Sequence, residues 1–77
     1  MTLRRPRYEM PSYAEEALTQ RGLIDAYRRR PPYQQNDYVG WITTAKRTQT
    51  RNSRLSQMLD ELRCGDVYMK APYRRKS

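Results

Sequence analysis

Aliphatic side chains are what this chain lacks: it has six Leu, two Ile, two Val and no Phe in 77 residues, with a formal charge of +8. So few apolar groups beside so much like charge is the pattern of chains that cannot offset the entropy of ordering. Any core must be made from the seven tyrosines, the single tryptophan and the four methionines, which bury large areas without being aliphatic. The length allows one small domain. The expectation is a modest folded core with unstructured ends, too small to enclose a multi-residue active site.

Histidine is absent and Cys64 is the lone cysteine. An internal disulfide is therefore excluded, and the usual zinc ligand sets cannot be assembled. No metal and no cofactor is expected. Arg4, Arg5 and Arg7 near the start resemble a signal n-region in charge, but no apolar stretch follows them. No window approaches the roughly 18–20 apolar residues of a membrane span. The expectation is a cytoplasmic protein with no transmembrane segment.

Four helices can be read between the ends, which makes the expected fold all-α. Ser12-Tyr13-Ala14-Glu15 has the spacing of a capping box and opens a helix that Gly22 would stop. Leu23, Ile24 and Tyr27 share one face of a short second helix ending before Pro31-Pro32. A third helix over about 32–45 starts on proline and places Tyr38, Trp41, Ile42 and Ala45 at i, i+3, i+4, i+7. Gly40 inside it costs about 1 kcal/mol against alanine unless another backbone packs closely there. The fourth, over about 48–64, repeats the spacing with Leu55, Met58, Leu59 and Leu62, and Gly65 follows as a stop. Tyr38, Trp41, Ile42, Leu55, Leu59 and Leu62 are the expected core anchors, with Trp41 near the centre. The resulting division is a flexible basic arm over 1–10, a helical domain over 11–66 and a basic tail over 67–77.

Charge is concentrated rather than spread: residues 46–54 carry +4 without one acidic side chain, and Arg28, Arg29 and Arg30 are consecutive. Lys46, Arg47, Arg51 and Arg54 surround the start of the fourth helix, where positive charge opposes the macrodipole. Helix stability does not account for them there. They are the candidate anion- or partner-binding residues, with Thr48, Thr50, Asn52 and Ser53 as further donors. The competing reading pairs them with Asp37, Asp60 or a neighbouring helix while their stems cover apolar surface. Arg28, Arg29 and Arg30 are accessory basic positions, and much of their signal is explained by a favourable C-terminal helix position.

Catalysis is not expected. No group poised near neutral pH is available without histidine. Glu15/Glu16 and Asp60/Glu61 are adjacent pairs that diverge by about 100° on a helix, as solvated surface would. Cys64 lies at a helix C-terminus, which disfavours its thiolate, and Gly22, Gly40 and Gly65 form no phosphate loop.

Arg30-Pro31-Pro32-Tyr33 through Tyr38-Val39-Gly40-Trp41-Ile42, then Ala45-Lys46-Arg47, Thr50-Arg51, Arg54 and Met58-Leu59, resembles the C-terminal region of the YdeI/OmpD-associated family. The resemblance covers roughly residues 23–65 and departs at Thr48, where relatives usually have proline. It implies a bacterial helical module linked to bacteriocin protection and envelope-stress tolerance, without a biochemical mechanism. Larger members add a strand-rich N-terminal domain, for which this chain has no room. The expected function is a non-enzymatic basic binding module holding an acidic protein or an anionic envelope component. The alternative is a DNA- or RNA-binding regulator that uses the helix at about 48–64. A third reading makes the chain a partner for a separately encoded strand-rich domain. The residues leave the oligomeric state open.

Overall fold

The structure, a computed structural model, describes residues 8–72. It is all-α, with helices α1 (Ser12–Gln20), α2 (Ile24–Arg29), α3 (Pro32–Thr43) and α4 (Thr48–Cys64). A minimal antiparallel hairpin follows, β1 (Val67–Tyr68) and β2 (Ala71–Pro72), with Val67 opposite Pro72 and Tyr68 opposite Ala71. This hairpin lies in the stretch expected to be an unstructured basic tail. Two-residue strands are too short to leave an alternating pattern. The rest of the expected arm and tail, residues 1–7 and 73–77, lies outside the described residues.

Local chemistry sets the helix ends. The expected capping box does not form: Pro11 is the N-cap of α1, and its carbonyl accepts from the Ala14 and Glu15 amides. At the other end, the Leu23 amide bonds the Leu18 carbonyl and the Gly22 amide bonds Thr19, closing a Schellman turn. Arg30 is extended, as a residue before proline must be, and Pro32 opens α3. Thr43 and Thr44 turn their hydroxyls back onto the Val39 and Gly40 carbonyls at the end of α3. Gly65, with φ of +85°, stops α4.

One core joins all four helices: Leu18, Tyr27, Tyr38, Val39, Ile42, Met58, Leu59 and Leu62. Of the expected anchors, Tyr38, Ile42, Leu59 and Leu62 are buried, whereas Trp41 and Leu55 are partly buried at the margin. Trp41 is therefore not the centre. It lies one helical step (100°) from Ile42, and the axis of the core passes through Tyr38 and Ile42, four residues apart.

Gly40 is explained by a side chain rather than a backbone. A Cβ there would lie 2.5 Å from Cε2 of Tyr8. The Tyr8 ring thus rests directly on the α3 backbone, and the Tyr8 amide donates to Asn36 Oδ1 at 2.9 Å. The segment entering α1 is in this way strapped across α3.

Candidate functional site

α3 and α4 are joined by only four residues, Thr44 to Arg47, which makes the two helices neighbours. The joined ends carry the basic cluster. Lys46 and Arg47 are exposed, and Arg47 is the extended N-cap of α4. No acidic residue occupies the first turn of α4, so nothing in that turn offsets the positive end of the helix dipole.

Arg51 and Arg54 point into the fold. The Arg54 guanidinium lies 5.4 Å from the Trp41 ring centroid, and its Nη1 donates to the Trp41 carbonyl at 2.7 Å. It satisfies one of the orphan carbonyls at the end of α3. Arg51 lies 4.5 Å from the centroid of Tyr13 in α1, and its Nε is shut away from solvent with no acceptor among the described residues. Both stems therefore cover aromatic surface.

The alternative ion pairs are not made. Asp37 accepts from the Tyr68 hydroxyl at 2.8 Å, and Asp60 pairs with Arg63 at 3.6 Å on the open surface. Among the described residues none of Lys46, Arg47, Arg51 and Arg54 forms an ion pair. Beside the cluster, Trp41, Gln49, Thr50, Ser53, Arg54 and Gln57 line a shallow depression.

The arginine triplet divides. Arg28 and Arg29 are exposed, but Arg30 is only 4% exposed and is not an accessory surface charge. Its Nη1 donates to Gln34 Oε1 at 3.2 Å, and its Nη2 donates to the carbonyls of Glu61 and Val67 at 3.1 and 2.8 Å. The extended backbone before the prolines turns the Arg30 fork inward, where it fixes α3, α4 and the hairpin together.

Glu61 also departs from expectation: it is 5% exposed rather than solvated. Its carboxylate accepts from the Tyr38 hydroxyl at 2.5 Å, the Met69 and Lys70 amides at 2.7 and 2.9 Å, and Gln57 Nε2 at 3.0 Å. Burial pushes its pKa up, but these four donors outweigh burial and hold it below the usual carboxylate range. Burial, followed by the Glu61 hydrogen bond and charge, drives the Tyr38 phenol well above its ordinary value. A signal for Glu61 was present in the sequence. It follows Met58 by three and precedes Leu62 by one, which places it beside the apolar stripe of α4 rather than opposite to it.

Neither the curated proteins nor the solved structures yield a match to this chain. A family model, OmdA, described as "Bacteriocin-protection, YdeI or OmpD-Associated", matches residues 7–65. That span takes in the Tyr8 strap, α1 and the whole α3–α4 hairpin, and so extends well upstream of the resemblance read from residues 23–65. On a match over most of its length, the chain belongs to the bacteriocin-protection, YdeI or OmpD-associated family.

Proposed function

We propose that this chain is a non-enzymatic binding module that holds an anionic partner, an acidic protein or an anionic envelope component, at the joined ends of α3 and α4. The observation that carries this reading is the run Lys46 to Arg54, with four cations, no acidic residue in the first turn of α4 and no ion pair within the described residues. Positive charge there works against the helix dipole, so for the exposed Lys46 and Arg47 a ligand is a better reason than stability. Arg51 and Arg54, laid on Tyr13 and Trp41, form a stiff basic floor, while Lys46 and Arg47 are the freely presented charges. Family membership is consistent with a role in bacteriocin protection.

A non-catalytic role is supported by the lack of histidine and by the saturation of the Glu61 carboxylate with four donors. The cytoplasm is the compartment we assign, on the single unpaired cysteine, which suits a reducing environment.

Nucleic acid is the second reading, because Gln49, Asn52 and Ser53 are exposed along the start of α4, where a recognition helix presents polar side chains to base edges.

One titration separates the two readings. Poly-glutamate, phosphatidylglycerol vesicles and duplex DNA are each added to the full chain at two salt concentrations, with amide shifts and Trp41 emission as readouts. Shifts over 46–54 with poly-glutamate or vesicles support the first reading, and shifts with DNA alone support the second. No salt-sensitive shift with any of them would rule out both.

A further inference from the structure

The turn between β1 and β2 is built against local preference. Met69 and Lys70, its two central residues, have φ of +51° and +66°, the left-handed region that suits Asn-Gly in a two-residue hairpin. Neither residue is eased there by its own side chain. The hairpin sits at the edge of the core: Val67, Tyr68 and Met69 are half-buried, with Tyr68 and Met69 against the core, while Lys70 and Ala71 are exposed.

Its hydrogen bonds to the helices run mostly through its main-chain groups. The Met69 and Lys70 amides bond the two oxygens of Glu61, the Val67 carbonyl accepts from Arg30, and the Tyr68 hydroxyl donates to Asp37. The Tyr68 ring meets Tyr38 and Tyr33 edge to face, with centroids 5.4 and 6.2 Å apart. The Glu61 carboxylate is therefore the element that stabilises a strained turn, and it reaches that turn from a different segment, α4.

We propose that residues 67–72 are a latch that opens and closes as one piece while the four helices stay folded, with the Glu61 carboxylate as its catch. Gly65, already left-handed at the end of α4, supplies the pivot. Opening removes the cover from Tyr38, Glu61 and Arg30. It uncovers the Glu61 oxygens that the Met69 and Lys70 amides occupy in the closed form.

Native-state hydrogen exchange on the full chain tests the latch. The Met69 and Lys70 amides should exchange at least tenfold faster than those of Leu59 and Leu62, through an opening that hardly responds to low denaturant. Glu61→Gln should accelerate Met69 and Lys70 at least tenfold further with the helix amides still protected. Lys70→Gly, at an exposed left-handed position, relieves turn strain without touching the packing of Met69 and should slow the opening several-fold. It also keeps the test decisive if Glu61→Gln does not fold. Exchange of Met69 and Lys70 in step with Leu59 and Leu62 across denaturant would overturn the proposal. An unchanged opening rate in Lys70→Gly would do the same.

Discussion

Glu61 and Gly40 each show a side chain, or its absence, deciding what a segment far away in sequence does. Because the folded pKa of Glu61 lies below its unfolded value, its stabilising effect is complete above the ordinary glutamate range, near pH 4.3. That effect is lost as pH falls through the lower folded value. Tyr38, raised far above its ordinary value, does not titrate in this window. Denaturant melts between pH 2 and 7 should show a steep acid limb that flattens in Glu61→Gln. An identical acid limb in the variant would assign the loss to other carboxylates. At Gly40, alanine should add about 0.5–1 kcal/mol of helix stability only when Tyr8 is also alanine. With Tyr8 present the new Cβ strikes its ring and the gain should vanish. A double-mutant cycle by chemical denaturation measures this directly.

At the scale of elements, the four helices were legible because proline, glycine and apolar spacing act within a few residues of one another. Gly22 and Gly65 stop α1 and α4 as read, and Pro31-Pro32 separates α2 from α3. The hairpin was not legible, since a turn of Met69 and Lys70 violates local preference and exists through Glu61, eight and nine residues away. The weights within the core were only partly readable: periodicity marks a face, but which residue becomes its centre depends on the partner helix. Ile42→Ala should therefore cost about 2–5 kcal/mol. Trp41→Ala, at the margin, should cost less, about 1–2 kcal/mol of lost partial burial. Thermal or urea melts that reverse this order would move the core back toward Trp41. Of the basic cluster, the sequence revealed the concentration of charge, whereas the aromatic seats of Arg51 and Arg54 depend on how α1 and α3 meet α4. Arg54→Gln should lose about 1 kcal/mol with the hydrogen bond to Trp41.

For the whole molecule, a core short of aliphatic residues is completed by buried polar groups that are almost fully paired. Tyr38 hydrogen-bonds to Glu61, and Arg30 ties α3 to α4 and to the hairpin. This interior uses the charges of Arg30 and Glu61 for cohesion, and the proposed binding surface lies apart from it, at the joined ends of α3 and α4. The claim that this end binds an anionic partner is tested most directly by Lys46→Gln with Arg47→Gln. Both residues are exposed and neither holds the fold. Titrated with poly-glutamate at low salt, the variant should melt within about 0.5 kcal/mol of the parent. It should also bind more weakly and lose much of its sensitivity to salt. Equal affinity and equal salt dependence in parent and variant would contradict the account.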